Sequence, residues 1–139
     1  MTYEEAQRSV AQSVASHGNR YTPKRITPYQ FWARVVRLVD ADTLDLTVSL
    51  GFHLSLEDRF RLVGVDCPET YGVKRTSEEY ARGLEALDFV QAHLREGDWV
   101  EAEVYADRRE KYGRWLCQLF VQGRSLNALL LSEGHATPT

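Results

Sequence analysis

A strand that ends at a proline, with charged residues gathered at its end, is the feature that most constrains this chain. Within the stretch Arg59–Thr70 two sets of residues alternate with the period of a β-strand: Phe60, Leu62 and Gly64 against Arg61, Val63 and Val65. Pro68 cannot continue a hydrogen-bonded ladder, so we expect the strand to end at about Asp66. Arg61, Asp66 and Glu69 then form a compact charged set, which is typical of a functional site.

Two further charged turns lie elsewhere in the chain. Asp40 and Asp42 fall in the first, between two apolar runs, and the sequence Lys111-Tyr112-Gly113-Arg114 falls in the second, also between two apolar runs. Taken singly, each fragment has an ordinary explanation: an Asx turn, a surface cross-strand ion pair or a charged hairpin turn. Their combination in one chain favours a site.

The elements around these turns have the order of a small barrel. Apolar alternation and turn residues predict strands at 31–39, 43–50, 54–65, 99–106 and 115–121, with Gly51 near the connection between the second and third. A helix is expected from the capping box at Thr76 to Gly97, and a short one at 125–133. We therefore predict an α+β, mainly β fold: a five-stranded OB-fold barrel with two to three helices.

The first thirty residues read differently from the rest. Thr2 and Glu5 form a possible capping box, followed by a weak apolar stripe at helical spacing, whereas residues 19–30 read as an irregular linker. We expect two parts: an N-terminal helical and irregular extension at 1–30, and the barrel domain at 31–139.

Composition limits the class of protein. A length of 139 residues fits one domain with a core, and a net charge of −3 argues against a protein that coats nucleic acid nonspecifically. The sequence has no run long enough to cross a bilayer and no signal-peptide pattern, so we expect no membrane association and an intracellular, cytoplasmic setting. Cys67 and Cys117 lack metal-site spacing and are expected to be reduced.

The charged residues suggest a definite chemistry. Carboxylates without a Cys or His cluster suit Ca²⁺ or Mg²⁺ and not zinc. Four such residues are available: Asp40, Asp42, Asp66 and Glu69. Arg61 and Arg114 each present a planar fork suited to two phosphate oxygens, which would stabilise the charge that builds during phosphodiester cleavage.

The set D-x-D-T, R-L-x-x-V-D-x-P-E-T and K-Y-G-R, in this order and over about Val35–Ala136, resembles the staphylococcal nuclease (thermonuclease) family. The resemblance implies that Asp42, Asp66 and the backbone carbonyl of Cys67 hold Ca²⁺, with Asp40 acting through water. The family commonly has Thr where this chain has Cys67, a change of little consequence for a carbonyl ligand.

The same resemblance assigns the catalytic and binding roles. It implies that Arg61 and Arg114 stabilise the transition state, that Glu69 activates or orients the attacking water, and that Lys111 and Tyr112 contact the nucleotide. The implied activity is a Ca²⁺-dependent nuclease of low sequence specificity that cuts DNA and RNA, single- or double-stranded, and leaves 3′-phosphates. We expect a monomer and consider a plasmid- or phage-encoded origin.

Two other classes of function stay open at this point. The first is a non-catalytic nuclease-like module that binds nucleic acid or protein, although such relatives lose charged site residues that this chain retains. The second is a structural or assembly role in which residues 1–30 dock onto a partner.

Overall fold

The computed structural model describes residues 2–17, 29–109 and 111–139. The linker expected at 19–30 lies almost entirely outside these residues. In chain order the elements are α1 (Tyr3–His17), β1 (Tyr29–Asp40), β2 (Thr43–Gly51), β3 (Leu54–Leu62), β4 (Val65–Asp66), α2 (Glu78–His93), β5 (Trp99–Arg109), β6 (Trp115–Val121), β7 (Arg124–Ser125), α3 (Leu126–Ser132) and β8 (Thr137–Pro138).

The five long strands form a closed barrel. They are hydrogen-bonded in the order β3-β2-β1-β5-β6, and all these pairs are antiparallel. A parallel pairing of Phe60–Leu62 with Trp115–Cys117 joins β3 to β6 and closes the ring. The expected five-stranded OB barrel, mainly β with three helices, is therefore confirmed.

Alternate residues of each strand point into the barrel and form the core. Burial alternates along β2, where Leu44, Leu46 and Val48 lie inside. The apolar faces of α2 and α3 add to the same core through Ala86, Val90, Leu126 and Leu130. Cys117 of β6 is buried in this core as well.

The strand that ends at the charged set differs from its prediction. We expected it to continue to about Asp66 with Gly64 on the same face as Phe60 and Leu62. Instead β3 ends at Leu62, a turn follows with φ of +77° at Gly64, and Val65 enters the core in place of the exposed Gly64. Glycine adopts this φ without the strain of a Cβ, so it allows a new two-residue strand to begin immediately.

Helix α2 is shorter than predicted at both ends. Its N-cap is Ser77, whose hydroxyl accepts a hydrogen bond from the amide of Tyr80 at 3.1 Å, and not Thr76. The helix ends at His93, where Leu94 is extended, and does not continue to Gly97. Helix α1 does begin with the expected capping box, since Thr2 and Glu5 exchange hydrogen bonds of 3.1 Å.

The β2–β3 hairpin extends past the barrel. Residues 54–59 pair with β2 but not with β6, and both Phe52 and His53 at the tip have positive φ. None of the helices in the described ranges is long and apolar enough to cross a membrane.

Candidate active site

Barrel closure gathers the charged residues at one place. Thr43, the first residue of β2, lies opposite Arg61 on β3, and Arg61 in turn lies beside Leu116 on β6. The turn that precedes β6 carries Arg114. Three stretches that are distant in the sequence therefore meet at one end of the β2–β3–β6 surface, as the order of the motifs suggested.

Asp42 is the buried centre of this set. The residue is 7% exposed, and both of its carboxylate oxygens accept hydrogen bonds. Oδ1 accepts from the hydroxyl of Thr43 at 3.0 Å, and Oδ2 accepts from the backbone amide of Cys67 at 3.0 Å. A buried carboxylate needs such partners, and these two fix its orientation.

Arg61 is held by the turn that follows it. Its Nη1 donates to the carbonyls of Leu62 at 3.0 Å and Val65 at 2.8 Å, so the unforeseen break between β3 and β4 supplies its backbone acceptors. Its Nη2 lies 3.5 Å from Asp42 and 3.2 Å from the exposed Asp66. The guanidinium plane is therefore set before any substrate binds.

Arg114 joins the same network through a hydroxyl. Its Nη1 donates to Oγ1 of Thr43 at 3.2 Å, and Thr43 donates onward to Asp42. Tyr112 is 73% exposed, and its ring is flanked by two cations, with Nζ of Lys111 at 5.0 Å and Cζ of Arg114 at 5.6 Å from the ring centroid. Lys111 and Tyr112 thus lie beside Arg114.

Glu69 lies on a loop that is fixed on both sides. On one side the amide of Cys67 is bonded to Asp42, and on the other the hydroxyl of Thr70 donates to Oδ1 of Asp40 at 2.7 Å. Glu69 itself is exposed between these two attachments. Asp40, which we expected to act through water on a metal, holds the loop directly in this structure.

The loop also rests closely on α2. A Cβ at Gly83 would lie 2.8 Å from Cγ2 of Thr70 and 2.9 Å from the carbonyl oxygens of both Glu69 and Pro68. Only a glycine permits this approach, since real Cβ contacts are longer. Gly83 therefore determines how closely the loop that carries Glu69 approaches α2.

Burial keeps Cys67 in its thiol form. Burial, together with the neighbouring Asp42 carboxylate and against the opposing effect of Arg61, raises the pKa of Cys67 from 9.0 to about 12. A thiol with this pKa is a poor nucleophile at neutral pH. Cys67 therefore contributes its backbone to the site and not thiol chemistry.

The residues expected to hold calcium are brought together in part. The carboxylates of Asp42 and Asp66 flank the same nitrogen of Arg61. Within residues 2–17, 29–109 and 111–139, no three His, Cys, Asp or Glu side chains form a group that could hold a metal ion. The donors at hand are carboxylate and carbonyl oxygens, so in chemical type they fit a hard cation such as Ca²⁺.

Asn127 on α3 connects the site to the core. Its Oδ1 accepts from the amide of Leu119, and its Nδ2 donates to the carbonyls of Val63 at 2.9 Å and Cys117 at 3.2 Å. It therefore fixes the β3–β4 turn, whose carbonyls hold Arg61, against β6. On the other side, β8 pairs with β4 and places Thr137 opposite Asp66.

The sequence did not single out three residues that position the site: Thr43, Thr70 and Gly83. Thr43 and Thr70 were visible as the final letters of the D-x-D-T and P-E-T motifs. Gly83 had a weaker signal, because a glycine inside a helix costs about 1 kcal/mol relative to alanine and calls for a packing reason.

Two open grooves border the charged set. One is about 430 Å³ and is lined by Asp66, Cys67, Pro68, the first turns of α2 and the segment 133–137. The other, of similar size, runs beside Tyr112 and Arg114 along β2 and β3. An extended polymer therefore has access to the site from two sides.

Comparison with known proteins identifies the family of the chain. A family model described as "Staphylococcal nuclease homologue" matches residues 59–139. The chain is 31% identical over 103 residues to the thermonuclease of Staphylococcus hyicus, covering 74% of this chain and 56% of that protein. It is 32% identical over 107 residues to endonuclease YhcR of Bacillus subtilis, covering 73% of this chain and 8% of that protein.

A third relative is the SPbeta prophage-derived endonuclease YokF of Bacillus subtilis, 32% identical over 100 residues, with 72% of this chain and 31% of that protein covered. The chain thus spans from less than a tenth to little more than half of these relatives. With the matched family model covering more than half of its length and the barrel formed as that resemblance implied, the chain belongs to the staphylococcal nuclease homologue family.

Proposed function

We propose that this chain is a Ca²⁺-dependent nuclease that hydrolyses phosphodiester bonds of DNA and RNA with low sequence specificity and leaves 3′-phosphates. The observation that carries the proposal is the continuous network Arg114–Thr43–Asp42–Arg61. It sets two guanidinium groups from distant parts of the chain around one buried carboxylate. Nuclease-named relatives over most of the chain support the same activity.

The two arginines form the phosphate clamp in this proposal. Arg61 is anchored by two backbone carbonyls through Nη1, and its Nη2 contacts the carboxylates of the buried Asp42 and of Asp66. Asp66 is the exposed one of these two partners, and a phosphate oxygen can replace it. Arg114 approaches from the β5–β6 turn. Together they stabilise the negative charge that develops on the phosphoryl oxygens, with little reorganisation because both are already oriented.

Glu69 acts on the attacking water. It accepts a proton as the water oxygen bonds to phosphorus, the bond between phosphorus and the 5′-oxygen breaks, and the departing 5′-oxygen takes a proton from solvent. The products are a 3′-phosphate and a 5′-hydroxyl. The two attachments of the loop, at Cys67 and Thr70, fix the backbone on either side of Glu69 and so position its carboxylate for this role.

The oxygen ligands define where calcium would bind. Asp42, Asp66 and the carbonyl of Cys67 would hold the ion, with Asp40 reaching it through water. When bound, Ca²⁺ supplies positive charge that polarises the phosphoryl group and neutralises charge in the transition state.

Lys111 and Tyr112 contact the nucleotide next to the cleaved bond. Tyr112 offers an exposed aromatic face on which a base can stack, and Lys111 offers a cation to the backbone. Stacking is tolerant of sequence, which accounts for the low specificity proposed here. Single-stranded or frayed substrate is preferred because its bases are free to stack. In this proposal the catalytic unit is a single chain.

The test is cleavage of heat-denatured DNA and of RNA by the purified chain, with Ca²⁺ and with excess chelator. Glu69→Gln keeps the shape of the side chain and removes its basicity, so we expect the rate to fall by 10²–10⁴-fold, the usual range for loss of a general base. Glu96→Gln, an exposed glutamate in the turn after α2, is the matched control and should cut at the wild-type rate.

Product ends distinguish this reaction from other nucleases. Labelled products should carry 3′-phosphate and 5′-hydroxyl ends. Cleavage that persists in chelator would remove the calcium assignment, and equal rates for both glutamine variants would remove Glu69 from its role. A folded protein that binds denatured DNA and never cuts it would show the chain to be a binding module instead.

A further inference from the structure

One surface of the barrel is apolar and far from the site. We define the apolar rim as the exposed hydrophobic side chains at the β2–β3 hairpin and the start of β1: Tyr29, Leu50, Phe52, Leu54 and Leu56. Phe52 at the tip is 94% exposed. A contiguous apolar patch of this kind usually marks an interaction surface.

The rim is the continuation of the core. Leu56 pairs with the buried Val48, and Leu54 pairs with Gly51 further along the same ladder. Since cross-strand partners share a face, the row that fills the barrel at Val48 continues past its end, where nothing in the barrel covers it among the described residues. The hairpin therefore displays a core-type surface to solvent.

The charge of the rim limits what can cover it. The stretch from Val48 to Leu56 contains no Lys, Arg, Asp or Glu. It offers nothing to phosphate groups of nucleic acid or to anionic lipid heads, both of which need cations. The surface fits an apolar helix or strand.

Helix α1 has an exposed apolar stripe that matches the rim in chemical character. Tyr3 and Val10 lie on one stripe of the helix and are 79% and 64% exposed. A helix of 15 residues is marginal in water unless its apolar face is packed, even when capped as this one is by Thr2 and Glu5. Both the helix and the rim gain from covering each other.

The connection between them is short enough. The antiparallel β1–β2 ladder ends at the pair of Ala33 and Val48, so the start of β1 and the β2–β3 hairpin both extend from this pair towards the same end of the barrel. Residues 18–28 join α1 to Tyr29, so this link starts beside the rim. Eleven residues reach at most about 40 Å. Such a tether gives a high effective concentration of α1 at the rim of its own chain, which favours this contact over one with another molecule.

We propose that the apolar rim is the docking surface for α1 of the same chain. The amphipathic stripe with Tyr3 and Val10 lies against Phe52 and Leu54 in the docked state. The N-terminal extension is then a covering element for the hairpin and not a part of the nuclease site.

Hydrogen exchange of the full chain, followed by mass spectrometry, tests this contact. A docked α1 should exchange at least 10-fold more slowly than the same residues in a synthetic peptide of residues 1–17. Phe52→Ser with Leu54→Ser should return α1 to the peptide rate. Trp32→Ser, which changes an exposed aromatic on the outer face of β1, should leave the protection intact.

Substitutions on α1 test the same contact from the other side, so a folding defect in the hairpin cannot account for their result. Tyr3→Ser with Val10→Ser should increase the binding of an apolar dye to the rim, and adding Phe52→Ser should abolish that increase. Peptide-like exchange of α1 in the wild-type chain would overturn the proposal. Protection that appears only as protein concentration rises, together with dimers in sedimentation, would also overturn it and assign α1 to a second copy.

Whether α1 docks on the rim is independent of the nuclease proposal. The rim lies at the opposite end of β2 from Thr43, about eight residues or 25 Å along the strand. The rim and helix variants should therefore cut denatured DNA at the wild-type rate, whether or not α1 docks.

Discussion

Arg114 donates a hydrogen bond from Nη1 to the hydroxyl of Thr43 at 3.2 Å, across 71 residues of sequence. The Thr43 hydroxyl in turn donates a hydrogen bond to Oδ1 of Asp42 at 3.0 Å, so one hydroxyl links the guanidinium to the buried carboxylate. A hydroxyl can accept and donate at once, which no aliphatic side chain can. The orientation of Arg114 and that of Asp42 are therefore coupled.

Thr43→Val should test this coupling. Valine keeps the β-branched shape and removes the hydroxyl, leaving Asp42 and Arg114 each without one partner. We expect a loss of about 1–3 kcal/mol in the free energy of unfolding, and a fall in cleavage rate that exceeds what this destabilisation explains. Urea denaturation and initial rates on denatured DNA measure the two effects. Thr47→Val on the same strand is the control, and equal activity of the two variants would contradict the coupling.

Arg114→Lys should separate charge from geometry. Lysine keeps the positive charge but replaces a planar fork by a single point, so it cannot contact Thr43 and two phosphate oxygens together. We expect kcat to fall by at least about 10²-fold, as when a transition-state donor is removed. Steady-state kinetics on a short labelled oligonucleotide measures this fall in kcat. Arg124→Lys on β7 should behave as wild type, and a similar result for Arg114→Lys would place the clamp elsewhere.

Gly83→Ala should displace the loop that carries Glu69. Alanine is about 1 kcal/mol better than glycine in a helix, yet its Cβ would lie 2.9 Å from two backbone carbonyls of the loop. Because backbone cannot move aside like the end of a long side chain, we expect slower cleavage even though the helix itself is favoured. Gln91→Ala, at an exposed position of α2, should leave the rate unchanged. Full activity of Gly83→Ala would show that Glu69 tolerates a shift of its loop.

The fold should lose stability in alkaline solution through its buried thiols. Burial raises the pKa of Cys117 from 9.0 to about 12, so the folded chain keeps this proton at a pH where the unfolded chain has released it. The stabilising difference is complete below pH 9 and is lost as the pH rises towards 12. The slope from one such group is about 1.4 kcal/mol per pH unit.

Denaturation of Cys117→Ala across pH 8–11 checks the sign. The variant is expected to be less stable than wild type at pH 8, because a small buried group is removed, and to lose stability less steeply above pH 9. Parallel pH profiles for the two proteins would show that Cys117 does not contribute.

Much of the fold was readable from local pattern. Alternation located all five barrel strands, and the Thr2–Glu5 capping box formed as expected. The errors have physical reasons. Period-two alternation does not show where a glycine will reverse φ, so the break at Gly64 was missed. Two capping residues, Thr76 and Ser77, compete at α2, and only the structure shows which one bonds to Tyr80.

The site was predicted from charge types and their order, which identified the arginines and carboxylates that the structure brings together. What the sequence could not show is how the neutral neighbours hold them. The role of Thr43 depends on a register between β2 and β3, and that of Gly83 on the close approach of a loop to a helix. Neither relation leaves a periodic signal. The direct bond of Asp40 to Thr70 likewise depends on distances that the sequence does not contain.

The parallel pairing of β3 with β6 closes the barrel across more than fifty residues, and Arg61 and Arg114 lie on either side of that seam. Contacts of such sequence separation form slowly in folding because a long loop must first be closed. A nascent or partly unfolded chain therefore has its strands and its charges but not its two arginines side by side. On this architecture, the proposed cleavage activity requires the seam to be closed, and a chain in which β3 and β6 have not yet paired would leave the nucleic acid around it intact.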